Sequence, residues 1–403
     1  MKVYVARQPI FKRNRKIYGY ELLFRGGITN AFPDIDGDTA TSKLLSNTFF
    51  TMGMERVSAG KKAFINFTHD LLVRKYPLMF PRGNVTVEVL ENVVPDLEVV
   101  EACSEIAEKG YEIALDDFIY EEALEPLIKL SRVIKIDFLI TPMDEIAEYV
   151  EKLSPYPVKF LAEKVETHEV FQQAFDMGFS YFQGYFFSKP QILQSRDVAP
   201  SKINLLQLMV ETNKEDMEFE DLEKIIIRDV SISYKLLRYI NSAYFRRLRE
   251  ISSIKQAIVL LGQEGIRSFI SLIIMAKLAS KKPVELLRSS IIRARMCEML
   301  GKGSRSPVDT SELFTLGLFS LIDAILDQEM EKLMEKLPLS EPIKKALINH
   351  EGPLTPFLDL VKSYETGEWE SFSEAVSKVG IAEEKVPEYY LDAIGWADSV
   401  AGL

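Results

Sequence analysis

Carboxylate, amide and ammonium side chains recur at the ends of short apolar runs in the first half of the chain. They are Glu21, Asn66, Glu88, Asp116, Asp117, Lys135, Asp137, Glu163 and Gln183. Hard oxygen donors of this kind, brought together, suit Mg²⁺ or Mn²⁺, whereas the chain has too few histidines for a zinc centre. Two such ions can polarise a phosphodiester and activate a water molecule, with Lys135 orienting that water or offsetting developing charge. The residue types therefore predict metal-dependent phosphodiester chemistry.

Eight β-rich runs must position these side chains. They begin with VYVARQPI and end with YFQGYFF near residue 190, and several are separated by amphipathic stretches. Strands that alternate with helices predict a parallel sheet, and eight of them predict an α/β fold, a TIM-like (β/α)8 barrel. In the run NVTVEVLE the valines would face the helices, while Thr86 and Glu88 would point into the barrel. Active sites of such barrels lie at the rim formed by the carboxyl ends of the strands.

The second half of the chain shows helical patterns instead of strands. In SIKQAIVLLG the apolar residues recur at i, i+3, i+4 and i+7, and Gly262 is a candidate C′ residue for that helix. The pattern predicts an all-α domain after the barrel. We place the boundary near residue 195, with the barrel in residues 1–195 and the helical domain in residues 196–403.

Composition limits the classes of function. The formal net charge of −11 disfavours a protein that coats polymeric nucleic acid. Cys103 and Cys297 lie far apart without a CxxC spacing, which is typical of a reduced, cytoplasmic protein. No secretion signal is visible in MKVYVARQPI. The apolar stretch Phe269–Ala279 is too short to span a bilayer and is interpreted as core, so no membrane partner is expected.

The motifs of the first half resemble the EAL family, cyclic-di-GMP phosphodiesterases built on a TIM-like barrel. QPIFKRNRKIYGYELLFR resembles the opening of that family, whose signature Glu-Ala-Leu-x-Arg corresponds here to Glu21-Leu22-Leu23-Phe24-Arg25. Later motifs match in order: Asn66 in FINFT, Glu88 and Glu91 in VEVLEN, Asp116 and Asp117 in DDF, Lys135 in VIKID, Glu163 and Glu166 in AEKVE where the family has A-E-G-V-E, and Gln183 in QGYFFSKP.

The resemblance implies a role for each matched residue. The implied ligands of a two-metal Mg²⁺ or Mn²⁺ site are Glu21, Asn66, Glu88, Asp116 and Asp117. The implied catalytic set is Glu163 as the base, with Lys135, Glu91 and Glu166. The implied contacts to cyclic-di-GMP are Gln8, Arg25 and Gln183.

The second half resembles HDOD domains. The stretch YKLLRYINSAYFRRLREISSIKQAIVLLGQEGIRSF contains L-L-R-x-x-N-S-A followed by I-x-S-I-x-x-A-I-x-x-L-G. These helical domains are related to HD phosphohydrolases but lack the metal-binding His and His-Asp residues, and the only histidine after residue 200 is His350. The resemblance implies a regulatory module that binds a partner protein. Both halves together resemble EAL–HDOD two-domain signalling proteins of bacteria.

Several alternatives remain open at this point. The family follows D-D-F with a Gly-containing loop, whereas DDFIYEEALEPL has no glycine. The barrel is therefore either a metal-dependent cyclic-di-GMP phosphodiesterase or a catalytically inactive receptor or scaffold that acts through protein contacts. Lys135 and Asp137 share one strand face and could form a structural ion pair. His69-Asp70 and Asn241-Ser242 are interpreted as helix-terminal or loop residues. A homodimer is a further expectation.

Overall fold

The computed structural model describes residues 4–25, 57–188, 230–245 and 251–401, except 252, 281 and 338, together with the single residues 206, 209, 212 and 226. The chain forms two compact units. The first comprises Met1–Phe186 with Ser363–Trp369, and the second comprises Phe187–Lys362 with Glu370–Leu403. The predicted boundary near residue 195 falls outside the described residues and stays a prediction.

The first unit is a closed barrel of eight strands in sequential order, which confirms the predicted fold class. The strands are β1 (Tyr4–Lys12), β2 (Ile17–Arg25), β3 (Lys62–Phe67), β4 (Val85–Val89), β5 (Glu112–Leu115), β6 (Val133–Asp137), β7 (Lys159–Glu163) and β8 (Tyr181–Gln183).

One strand departs from the predicted parallel sheet. Strand β1 runs antiparallel to both β2 and β8, while the pairs from β2 to β8 are parallel. Only four residues separate β1 from β2. A parallel connection needs a crossover of a dozen or more residues, so this short turn forces a hairpin.

Helices follow most of the parallel strands. They are α1 (His69–Val73), α2 (Leu97–Glu108), α3 (Glu125–Leu130), α4 (Met143–Leu153) and α5 (His168–Asp176), with 3₁₀ segments at Tyr76–Met79, Glu122–Leu124 and Tyr185–Ser188. Asp96 is the N-cap of α2, and its Oδ1 accepts a hydrogen bond from the backbone N–H of Val99 at 2.9 Å. This bond satisfies one of the N–H groups that a helix start leaves unpaired. His69 is the first residue of α1 and contacts Asp96, in agreement with a helix-terminal role.

An apolar layer lies inside the barrel beneath its polar rim. Its members are Ile10, Phe64, Ala114, Val133, Leu161 and Tyr181. Side chains on one face of a strand recur every second residue. The residues two places after five of these layer members are Asn66, Asp116, Lys135, Glu163 and Gln183. Each of these polar side chains therefore continues the interior face of its strand towards the carboxyl-end rim.

The second unit is helical, as predicted. The described helices that follow the barrel in sequence are α6 (Val230–Ile240), α7 (Ile254–Leu278), α8 (Val284–Gly303), α9 (Thr310–Phe319), α10 (Ile322–Leu326), α11 (Met330–Lys336), α12 (Glu341–Ile348), α13 (Thr355–Thr366), α14 (Trp369–Val379) and α15 (Val386–Ala401). The end of α13 and the first residue of α14 belong to the segment Ser363–Trp369 of the first unit. Asn241 follows the end of α6, and its side chain donates to the carbonyls of Leu237 and Ile251 at 2.9 and 2.7 Å. The interpretation of Asn241 as a helix-ending residue is confirmed.

Helix α7 consists of two helical segments that meet at Gly262. This residue has a φ of 67°, a conformation that glycine adopts without strain, and the predicted helix end at this position is confirmed. By length and composition α7 is the one helix in the described part of the chain that could cross a membrane, with a mean hydropathy of 1.6 and half of the apolar window buried. Phe269 to Met275 are buried, in agreement with the prediction that this stretch is core.

Candidate functional site

The ammonium group of Lys135 lies at the centre of the barrel rim among four carboxylates. Its Nζ is 2.6 Å from Asp116 Oδ1, 2.8 Å from Glu88 Oε1, 3.0 Å from Glu163 Oε1 and 3.5 Å from Glu21 Oε2. Lys135 itself is completely buried. The expected gathering of these strand-end residues is observed, and Lys135 pairs with them rather than with Asp137. We call these five residues the inner group.

Amide side chains hold Glu21 in place from two sides. The Nδ2 of Asn66 donates to Glu21 Oε1 at 3.2 Å, and the Nε2 of Gln183 donates to Glu21 Oε2 at 2.5 Å. The Nε2 of Gln183 also lies 2.9 Å from Gln8 Oε1. Strand β1 pairs with both β2 and β8, which brings Gln8, Glu21 and Gln183 together although they are distant in sequence.

Burial shifts the pKa values of the inner group. It raises the pKa of Glu88 and of Glu163 well above the ordinary value, because the charge of Lys135 offsets the loss of water only in part. Burial opposes the charge of Lys135, yet the surrounding carboxylates, Asp116 first, raise its pKa well above the ordinary value. Burial also opposes ionisation of Glu21, but Lys135 and the two amides lower its pKa overall. The single positive charge of Lys135 therefore cannot neutralise all four carboxylates that surround it.

A second cation lies beside the inner group. The Nζ of Lys164 donates a hydrogen bond to Asp137 Oδ2, and Asp137 Oδ1 accepts from the backbone N–H of Leu139 at 2.7 Å. Burial lowers the pKa of Lys164, but the bond to Asp137 and the charge of Asp117 raise it above the ordinary value overall. Burial raises the pKa of the Asp117 carboxyl above the ordinary value, and the charge of Lys164 offsets this shift only in part. We call Asp117, Asp137 and Lys164 the outer group.

Sequence reasoning missed Lys164. The signal was present, because AEKVE places lysine where the EAL motif A-E-G-V-E has glycine. Lys164 has a φ of 50°, and Asp117 has a φ of 36°. Both values lie in the left-handed region that residues with a side chain seldom adopt. Lys164 therefore carries a charged side chain on a backbone conformation that glycine adopts without strain.

A cavity of about 470 Å³ opens above these residues. Its wall includes Gln8, Glu21, Asn66, Glu91, Asp116, Asp117, Glu163, Lys164, Glu166 and Gln183. Glu88 and Lys135 lie beneath it and are completely buried. Of the predicted site residues, Arg25 ends strand β2, and its side chain lies outside the described part of the structure. The volume falls within the range usual for small-molecule sites.

The inner group offers oxygen donors suited to a divalent cation. Among the described residues, Asn66 Oδ1, Glu88 Oε2 and Glu163 Oε2 are buried with no hydrogen-bond partner. Buried oxygens of this kind are costly unless a donor or a cation compensates them. Among the described residues, no group of three or more acidic, His or Cys side chains has the arrangement of a metal centre. The carboxylates of the inner group contact Lys135 instead. The donor set fits Mg²⁺ or Mn²⁺ once these carboxylates turn towards the ion.

The loop after Asp117 follows a path that requires no glycine. Neither Ile119 nor Tyr120 has a positive φ, and the left-handed residue is Asp117 itself. Phe118 is buried, and its backbone N–H donates to the carbonyl of Lys135 at 2.9 Å. The side chain of Ile119 is 58% exposed. The absence of glycine therefore leaves Asp116 and Asp117 at the rim.

Two domain families match the chain. The EAL domain family matches residues 57–190, and the HDOD domain family matches residues 200–341. A crystal structure of the Bacillus subtilis YkuI protein, which has an EAL domain and is in complex with cyclic-di-GMP and calcium, is 18% identical. That match covers 65% of this chain and 73% of the YkuI chain, with a TM-score of 0.35.

Two curated relatives match over almost the whole length. The cyclic di-GMP phosphodiesterase CdgJ of Vibrio cholerae is 39% identical, and the match covers 99% of this chain and 93% of CdgJ. The uncharacterized protein YuxH of Bacillus subtilis is 36% identical, and the match covers 99% of both chains. The chain therefore belongs to the family of two-domain proteins in which an EAL domain is followed by an HDOD domain.

Proposed function

We propose that the barrel hydrolyses cyclic-di-GMP to the linear dinucleotide in a bacterial signalling pathway. The observation that carries this proposal is the inner group, in which four carboxylates and a buried lysine meet below a cavity. The similarity over 99% of the chain to CdgJ, a cyclic di-GMP phosphodiesterase, supports the choice of substrate.

The metal ligands we propose are Glu21, Asn66, Glu88 and Asp116, with Asp117 beside them. They would hold at least one divalent cation, Mg²⁺ or Mn²⁺, which supplies Lewis-acid activation of the phosphodiester when it is bound. The unpartnered oxygens of Asn66 and Glu88 support this assignment.

Glu163 is the proposed base. Its Oε2 lacks a hydrogen-bond partner among the described residues, and its side chain lines the cavity. Burial raises the pKa of this carboxyl, which makes its ionised form a stronger base than an exposed glutamate. Glu163 would accept a proton from the water that adds to phosphorus, while the bond from phosphorus to the leaving ribose oxygen breaks and that oxygen gains a proton.

The remaining predicted residues would supply positive charge, orient Glu21, line the cavity or contact the nucleotide. Lys135 holds a positive charge directly below the site, where negative charge develops on the phosphoryl oxygens. Gln8 and Gln183 orient Glu21, and Glu91 and Glu166 line the cavity. Arg25 is proposed to contact a phosphate of the nucleotide.

We assign the helical half to binding a partner protein and place the protein in the cytoplasm. The match to the HDOD family over residues 200–341 supports the first assignment. The two buried cysteines, which form no disulfide, support the second. The predicted homodimer and the boundary near residue 195 are retained as predictions.

The test compares hydrolysis and binding in one pair of variants. With Mn²⁺ or Mg²⁺, the wild type should release the linear dinucleotide, and Glu163→Gln should be slower by roughly 10²–10⁴-fold because the base is lost. Calorimetry should show that Glu163→Gln still binds cyclic-di-GMP. Glu125→Gln is a matched control, because Glu125 is an exposed glutamate on α3 that pairs with Lys129.

The turnover of the wild type can also contradict the proposal. If the wild type shows no turnover above that of buffer with the same metal, the barrel is not a phosphodiesterase; turnover equal to that of Glu163→Gln would refute Glu163 as the base. Nucleotide binding without turnover would then indicate the receptor alternative, and no binding would indicate a scaffold.

A further inference from the structure

The rim of the barrel contains two separate cations, each with its own carboxylates. Lys135 is surrounded by the inner carboxylates at 2.6–3.5 Å. Lys164 pairs with Asp137 of the outer group, and Asp117 also contributes to its electrostatic environment. The outer group lines the same cavity through Asp117 and Lys164. The two ammonium groups therefore contact different carboxylates of the rim.

In the outer group Asp137 is committed to protein donors, whereas Asp117 lines the cavity. Asp137 is 1% exposed, one of its oxygens accepts from the backbone N–H of Leu139, and the other accepts from Lys164. At the rim, the buried side-chain oxygens of the described residues without a hydrogen-bond partner belong to Glu88, Glu163, Asn66 and Gln183. A divalent ion thus finds unused donors in the inner group, whereas at Asp137 it would have to displace Lys164.

We propose that Lys164 is a built-in cation of the outer group, so that the barrel binds one divalent ion tightly instead of two. The inference rests on the metal ligands assigned under the proposed function, and it revises the two-ion site predicted from the sequence. The lysine supplies positive charge beside Asp117 without taking up an ion. Since repulsion between charges falls with distance, the ammonium also disfavours a second divalent ion next to it.

The position of Lys164 in the fold supports a role beyond simple surface charge. A left-handed backbone is uncommon for a lysine and costs conformational free energy that glycine would avoid. Residues in such conformations persist where surrounding structure holds them, and they concentrate at functional sites. Here the side chain leaves the strained backbone towards the buried Asp137 and the cavity.

The test measures metal stoichiometry on the full-length protein without nucleotide. Mn²⁺ is titrated by calorimetry, and bound Mn²⁺ is counted by electron paramagnetic resonance. Lys164→Gly removes the charge and suits the left-handed backbone, while Lys164→Gln removes the charge and keeps a long side chain. Lys75→Gly is the matched control, because Lys75 also has a left-handed φ, of 59°, and pairs with a carboxylate, Glu105, outside the cavity.

We expect one tight Mn²⁺ per chain in the wild type and in Lys75→Gly, and two in both Lys164 variants. The second site should gain at least about tenfold in affinity when the charge is removed. Two equally tight ions in the wild type, or a single ion in both Lys164 variants, would overturn the inference. No Mn²⁺ binding by any of the proteins would instead refute the metal site of the proposed function, and the inference with it.

Discussion

Replacing Lys135 with methionine tests how the rim is stabilised. The ammonium is completely buried and has four carboxylate oxygens within 3.5 Å. Removal of one partner of a buried ion pair costs about 3–5 kcal/mol, because the other partner stays buried without compensation. We therefore expect Lys135→Met to lower the free energy of unfolding of the barrel by about 3–5 kcal/mol. At about 2–4 °C per kcal/mol for a unit of this size, the melting temperature should fall by roughly 6–20 °C.

The assay is differential scanning calorimetry of the full-length protein, first without divalent ions and then with Mn²⁺. In the variant no ammonium competes with the ion for the carboxylates, so Mn²⁺ should bind more tightly than in the wild type. A ligand stabilises the folded state in proportion to RT ln(1 + [L]/Kd). The melting temperature of Lys135→Met should therefore rise more on addition of Mn²⁺ than that of the wild type.

Lys62→Met is the matched control. Lys62 begins β3, at the end of the barrel opposite the rim, and pairs with Glu112 at 2.5 Å. Both side chains are partly exposed, at 23% and 38%, and such pairs contribute about 0–1 kcal/mol. If Lys135→Met destabilised the metal-free barrel no more than Lys62→Met, or if Mn²⁺ stabilised wild type and Lys135→Met equally, the reasoning would be refuted.

Three further predictions concern other parts of the barrel and the cysteines. Gly184→Ala should lower the free energy of unfolding by roughly 1–3 kcal/mol, measured by urea denaturation, because the added Cβ would lie 2.2 Å from a backbone oxygen at a φ of 141°. The contact with Asp96 raises the pKa of His69 above its ordinary value of 6.5. The stability that the His69–Asp96 pair contributes is therefore present below about pH 6.5 and is lost as the pH rises through the pKa of His69 in the folded protein. The difference in melting temperature between wild type and His69→Gln should thus shrink from pH 5 to pH 8, and a constant difference would contradict the assignment. Cys103 and Cys297 are completely buried and form no disulfide, and burial raises the pKa of Cys103 to about 12. A thiol reagent should therefore label neither in the native protein and both after unfolding, and labelling of the native protein would refute this.

Much of the barrel and of its rim could be predicted from local patterns. In β4 and β6 the residues alternate with a period of two, and that period alone assigns Glu88 and Lys135 to the interior face. Polar residues that end such runs must meet at one rim if the strands are parallel. The motif order then identified the residues that the structure brings together as the inner group. Helix ends at Asn241 and Gly262 were equally local, because a single side chain or a single φ determines each of them.

Only the tertiary structure decided which charges pair. Lys135 and Asp137 are near neighbours in sequence, yet Lys135 contacts carboxylates on four other strands or strand ends, and Asp137 pairs with Lys164. Distances between side chains on different strands depend on barrel closure, which no local pattern contains. The antiparallel β1 likewise follows from its short turn to β2 and brings Gln183 to Glu21. The sequence by itself therefore determined which residues face the rim, whereas the closed barrel decided which cation each carboxylate contacts, because electrostatic pairing depends on distance in space.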